Sequence, residues 1–317
     1  MARRPHDTSW PPAPEALRTP VVDNHTHLDV VLAETDAVGW RLRSDQGRPA
    51  DGVPLTIADH LQRAAAVGVT RVLQVGCDLP AVAWTDRAVS EHPAMLGGVA
   101  IHPNEAVLHA GVREVAPDGL DPEPKDQHAV SLDDAIARVA AVAAANPRIR
   151  VIGETGLDHF RAGERGRAVQ RAAFREHIAL AKELDLVLQI HDRDAHDDVL
   201  AVLAADGAPA RTVFHCFSGD AAMARYCVQQ GWYLSYAGSV TFSSARDLRA
   251  ALHETPLDRM LLETDAPYLA PHPFRGRPSG SYLVAATARA VATELGRGLD
   301  EVCAAVSQAS EELYGPW

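Results

Sequence analysis

Cysteine is scarce in this chain. Four thiols in 317 residues (Cys77, Cys216, Cys227 and Cys303) lie far apart, with no pair at the spacing of a metal knuckle or a redox motif. They fit buried small side chains in a reducing cytoplasm better than a disulfide framework. Positive charge is in short supply too: 30 Lys and Arg face 42 Asp and Glu, a net charge of −12, so no basic stripe tracks polyanions unaided. Bound divalent cations would reverse that sign locally. Residues 1–19 carry Arg3-Arg4 and then a Pro-rich polar run, and lack the apolar segment of a secretory or twin-arginine signal. The expectation is a mobile tail at 1–19 on a cytoplasmic protein with no membrane partner. There is no internal repeat, and no Gly-rich phosphate loop comes after the first strand candidate.

What the chain does have is alternation. With 47% hydrophobic and 23% charged residues it is long enough for one large α/β barrel or two smaller domains. From Pro20 onward, apolar runs of strand length alternate with Ala-rich amphipathic runs of helix length, the pattern of βαβ units. Strand candidates are Val21–His25, Arg71–Val75, Leu96–His102, Val151–Glu154, Leu186–His191, Thr212–His215, Trp232–Tyr236 and Met260–Asp265. Helices are expected at about 56–67, 80–91, 131–145, 167–184, 196–205, 220–230, 244–253, 282–295 and 299–312. Eight strand–helix pairs without a phosphate loop predict a (β/α)8 TIM barrel, a single domain over 20–317. Two polar stretches, 30–54 and 105–130, are too long for simple turns and lie on the face where barrel sites form; each reads as a lid or as a solvated insertion.

The strand ends carry the chemistry. His25 and His27 are alternate residues of one strand, so both imidazoles can share a face. Glu154 ends the fourth strand candidate, His191 the fifth, His215 the sixth and Asp265 the eighth, which brings six N or O donors to one rim. Six ligands exceed a single zinc site and suit two ions bridged by one carboxylate, with Glu154 placed between the two groups in barrel order. The imidazole-rich set leans to zinc, manganese or iron without excluding magnesium. Such a pair of ions generates hydroxide near neutral pH and offsets charge on a leaving oxygen, the chemistry of ester, amide or phosphoester hydrolysis.

Six motifs in order then resemble one family. Asp23-Asn24-His25-Thr26-His27-Leu28-Asp29, Ile101-His102-Pro103, Ile152 to Asp158, Ile190-His191-Asp192-Arg193, Phe214 to Gly219 and Leu262 to Leu269 are similar to the TatD-type metal-dependent hydrolases, deoxyribonuclease-like members of the amidohydrolase barrels. The resemblance implies one metal held by His25, His27, Glu154 and Asp265 and another by Glu154, His191 and His215. It also implies that His102 and Arg193 face the substrate, and that Arg275, in a basic loop with Arg277, clamps phosphate. For His102 a buried imidazole bonded to a backbone carbonyl is the alternative, and for the Arg275 loop a solvated turn. The chain departs from the family at Ser279-Gly280-Ser281, where Asn-x-Pro is common, at His159, where a tyrosine is usual, and at Ala309-Ser310. Glu263 shares a strand face with Asp265; it either orients a ligand imidazole or closes the barrel by hydrogen bonds.

The expected activity is therefore a deoxyribonuclease using two divalent ions (Zn, Mn or Mg), with Glu154 and Asp265 catalytic and nucleic acid, DNA or else RNA, as partner substrate. Hydrolysis of a small ester, lactone or amide on the same barrel is the alternative, and a catalytically inactive metal-binding scaffold a more distant one. No obligate protein partner is evident.

Overall fold

The structure, a computed structural model, describes residues 9–36 and 55–317. Eight strands run parallel, each bonded to the next in chain order: β1 (Val21–Thr26), β2 (Val69–Gly76), β3 (Met95–Val99), β4 (Ile149–Asp158), β5 (Val187–Arg193), β6 (Thr212–Phe214), β7 (Tyr233–Tyr236) and β8 (Met260–Leu262). The helices are α1 (Leu28–Asp36), α2 (Ile57–Ala65), α3 (Leu79–Glu91), α4 (Pro103–His109), α5 (Leu132–Ala145), α6 (Glu164–Glu183), α7 (His196–Asp206), α8 (Ala221–Gln229), α9 (Arg246–His253), α10 (Val284–Leu295) and α11 (Leu299–Tyr314). None of the described helices is long and apolar enough to cross a membrane.

The strands are nearly continuous apolar runs because both faces are covered. Leu73, Val75, Leu96, Val151, Val187, Val213 and Leu261 pack together with Leu313 and Tyr314 of α11, which stops one end of the barrel. Alternate residues such as Val72, Ile152, Leu188, Phe214 and Leu262 belong to the outer core beneath the helices. Period two then sets the upper layers of the inner columns: Gln189 and His191 above Val187, His215 above Val213, Glu263 and Asp265 above Leu261.

The seam between β1 and β8 closes at the site rather than along the strands. Asp265 donates its N–H to the His25 carbonyl (2.9 Å) and His27 donates to that of Ala266 (2.8 Å). Below them Asn24 Nδ2 donates to Leu262 O (2.7 Å), while the Asp23 carboxylate accepts from the Thr264 amide (2.8 Å) and hydroxyl (2.7 Å).

Three expectations change. Residues 9–19 lie against the barrel: Trp10 is 2% exposed, Leu17 is buried, and Arg277 donates to the Ser9 and Trp10 carbonyls (both 2.9 Å). The sequence hid this because the apolar anchors are single residues in a polar run. Residues 1–8, and 37–54 of the first insertion, lie outside the described residues. Both insertions begin as helices, α1 and α4, the latter started by Pro103, whose fixed backbone suits a first helical turn. The 105–130 segment ends in a short 3-10 turn, Asp126–Ala129, tied back by His128 Nε2 to Glu105 Oε2 at 2.7 Å. Third, β4 does not end at Glu154 but runs on to Asp158.

Candidate metal centre

Glu154 owes its position to an irregularity. Three residues beyond inward-facing Val151, it would point outward with Ile152 in a regular strand; the register of β4 against β5 shifts between Ile152 and Thr155 and turns its side chain inward. There its two oxygens divide the histidines. Oε2 lies 3.5 Å from His25 Nε2 and 3.6 Å from His27 Nε2. Oε1 meets His191 Nδ1 closely, lies 2.7 Å from His215 Nε2 and 3.5 Å from His102 Nε2. Asp265, just past β8 with φ +54°, puts Oδ1 3.7 Å from His25 Nε2 and 3.5 Å from His27 Nε2. All six donors expected from the sequence are thus brought together.

The hydrogen bonds behind the rings fix where their lone pairs go. His25 Nδ1 donates to Gln189 Oε1 (2.8 Å), whose own amide nitrogen is bonded to Asn24 O, and His27 Nδ1 donates to Val75 O (2.9 Å). Both Nε2 atoms therefore carry bare lone pairs when the rings are neutral, yet they face each other at 3.1 Å. Two lone pairs at that separation repel unless a cation sits by them. Orientation of ligand imidazoles from behind by carbonyl or carboxylate oxygens is the usual support of a metal, so the residues fit divalent ions.

Charge points the same way. Against the cost of burial, His215, then His191 and His102, hold Glu154 well below the usual carboxylate range. Against burial, Glu154 and Asp158 push His191 up to about 9, and Cys77 and Asp265 raise His27. Burial, then the neighbouring His215, lowers His25. Without metal the cluster holds protons where ions would otherwise neutralise its carboxylates.

His102 caps α4: its Nδ1 accepts from Asn104 N (3.1 Å), which leaves Nε2–H directed at Glu154, not at a backbone carbonyl. Arg193 is exposed at the end of β5 and stacks over Phe160, its Cζ 4.0 Å from the ring centre. Arg275 is exposed as well and lies over Phe242 at 4.7 Å. Arg277, its loop partner, is turned away to Ser9 and Trp10.

Sequence reasoning missed three neighbours. Asp158 reaches His191 Nε2 at 3.4 Å and takes Asn104 Nδ2 at 2.9 Å; burial opposes its ionisation, but His191 and Asn104 bring its pKa down to about 2. Gln189 precedes His191 by two residues, a period-two signal that was available. Cys77 places Sγ 3.5 Å from Glu154 Oε2, with burial and then Glu154 pushing its thiol up to about 12; nothing in its spacing marked it.

The family described as TatD related DNase matches residues 22–315. An uncharacterized metal-dependent hydrolase TatD of Mycobacterium tuberculosis is 38% identical over 299 residues, 93% of this chain and 98% of that protein. A protein of Klebsiella pneumoniae named 3'-5' ssDNA/RNA exonuclease TatD is 33% identical over 238 residues, 72% of this chain and 81% of its own length. Among solved structures, the TatD homologue YJJV of Escherichia coli is similar with a TM-score of 0.73 at 22% identity, covering 93% of this chain and 97% of that one. A TatD family hydrolase of Entamoeba histolytica gives 0.75 at 16% identity, covering 96% and 100%.

Proposed function

This chain belongs to the TatD related DNase family of metal-dependent hydrolases, enzymes acting on ester bonds, and on that premise we propose that it is a two-metal nuclease of the cytoplasm that cuts phosphodiester bonds in DNA or RNA. The observation that carries this reading is the division of Glu154, one oxygen toward His25 and His27, the other toward His191 and His215. A single ion would leave one of those pairs unserved.

In this reading His25, His27, Glu154 and Asp265 would hold one ion, and Glu154, His191 and His215 would hold the other. Two divalent ions bound there would acidify a water and polarise the phosphoryl oxygens. Asp265, beside His25 and His27, would be the carboxylate to accept a proton from that water. His102 donates Nε2–H to a phosphate oxygen, and Arg193 and Arg275, at the rim, fix the strand's backbone on either side. Gln189 and the Val75 carbonyl keep the His25 and His27 rings aimed inward throughout. Nucleic acid is favoured over a small ester by the two exposed guanidiniums on an otherwise acidic protein, and by the activity named for the Klebsiella relative.

End-labelled single-stranded DNA and RNA, given to metal-stripped protein resupplied with Mg²⁺, Mn²⁺ or Zn²⁺, test this. We expect metal-dependent laddering that falls by about 10²-fold or more in Asp265→Asn. Nucleic acid left whole under every metal, with a lactone or ester hydrolysed instead, would overturn it.

A further inference from the structure

Cys77 is the first residue past β2 and continues a column that faces into the barrel. Leu73 and Val75 belong to the inner core and Cys77 packs against it, so period two carries the thiol up to the level of the donors, as it carries His215 above Val213. β2 is bonded to β1, the strand that leads to His25 and His27. The backbone around the thiol is held in place: the Val75 carbonyl accepts from His27 Nδ1 and the Cys77 carbonyl from the His102 N–H, both at 2.9 Å.

Cys77 Sγ stands 3.5 Å from Glu154 Oε2, the oxygen that also lies 3.5 Å from His25 Nε2 and 3.6 Å from His27 Nε2. Donor atoms of Cys77, His27 and Glu154 all lie within 4.8 Å of one another. Tetrahedral bonds to zinc of about 2.05 Å for nitrogen, 2.1 Å for oxygen and 2.3 Å for sulfur put nitrogen about 3.4 Å and sulfur about 3.6 Å from an oxygen on the same ion. The separations found agree to within about 0.2 Å. Independently of the sulfur, the buried His25 and His27 rings turn bare lone pairs on each other at 3.1 Å, which calls for a cation beside the thiol.

We propose that Cys77 is a further ligand of the ion held by His25, His27 and Glu154, and that its sulfur makes this a site for zinc-like ions rather than magnesium. This rests on the two-metal reading above and names the class of metal that it takes. Thiolate is a soft donor that favours zinc, whereas magnesium keeps to oxygen. As the sulfur–metal bond forms, the S–H bond breaks and its proton passes to solvent; nothing is oxidised or reduced. A thiol that only donates to Glu154 Oε2 keeps its proton when the ion binds, so metal loading tells the two arrangements apart.

Cobalt(II) is the probe, because a thiolate bound to it gives an intense near-ultraviolet charge-transfer band that nitrogen and oxygen donors lack. Metal-stripped full-length protein is saturated with cobalt(II), and absorption and metal content are read together. We expect the band in the wild type, its loss in Cys77→Ser and its retention in Cys216→Ser, the other partly buried thiol. In competition against a chelator, Cys77→Ser should weaken zinc binding by about tenfold or more and leave the magnesium midpoint in place. The wild-type spectrum decides by itself whether sulfur is bound, even if the serine variant fails to fold. Cobalt-saturated wild type without the band, or a band that survives Cys77→Ser, would overturn the proposal and leave the two-metal reading standing. Protein that binds no cobalt would overturn both.

Discussion

Glu263 holds His215 from behind: its Oε1 lies 3.3 Å from His215 Nδ1 and accepts the Cys216 N–H at 2.7 Å, while Oε2 takes the Ser235 hydroxyl. The carboxylate lies beside the His215 ring and also links Ser235 of β7 to the segment after β8, so it is placed for both parts that the sequence offered. Glu263→Gln should keep the fold and lower affinity for the ion beside His215 by about 10- to 100-fold. Competition against a chelator measures this; an unchanged midpoint would restrict Glu263 to a structural part.

Metal removal should cost stability. With free metal a hundredfold above Kd, each ion adds about 2.7 kcal/mol to the folded state. Thermal melts of stripped and reloaded protein should therefore differ by several degrees, in proportion to the logarithm of added metal. Identical melts would mean that the cluster holds no tightly bound ion.

Gly156 has φ +144°, and a Cβ there would overlap the His191 carbonyl oxygen. Gly156→Ala has no relaxed conformation to adopt, and we expect a loss of about 2–4 kcal/mol together with weakened metal binding, because the displaced backbone carries His191. Denaturant midpoints and metal titration report the two effects separately.

His177 makes the protein acid-sensitive away from the metal centre. Its Nδ1 donates to Ala173 O (2.7 Å) and its Nε2 accepts the Ile101 N–H (3.2 Å), so the neutral ring holds the backbone next to His102. Burial lowers its pKa to about 4. An unfolded histidine titrates near 6.5, so between about pH 6.5 and 4 the unfolded chain binds more protons. Stability is complete above that window and is lost as pH falls through it, by up to about 3 kcal/mol. His60, buried and next to Arg63, is likewise lowered to about 4 and contributes to the same slope. His177→Gln should remove about half of that slope in denaturant titrations across pH; an unaltered slope would place the acid sensitivity elsewhere.

The sequence made the barrel and its rim legible because parallel strands buried on both faces are apolar throughout, so a His, Glu or Asp at their ends stands out. Asp158 escaped notice because a turn-like Gly-Leu-Asp gives no sign of the face its carboxylate takes, whereas Gln189 shares a strand face with His191 and was legible by period two. Glu154 points inward only through a register shift that no residue pattern announces. The packing of residues 9–19 draws in part on Arg277, which composition alone could not tell apart from Arg275.

Closure of the barrel beside its donors has a consequence for biosynthesis. The first pair of donors, His25 and His27, leaves the ribosome long before Asp265, and the backbone bonds that set all three join residues about 240 apart in sequence. A nascent chain halted anywhere before β8 presents histidines but no finished centre. A centre that includes Asp265 is therefore complete only once translation has passed that residue and its segment has docked against β1.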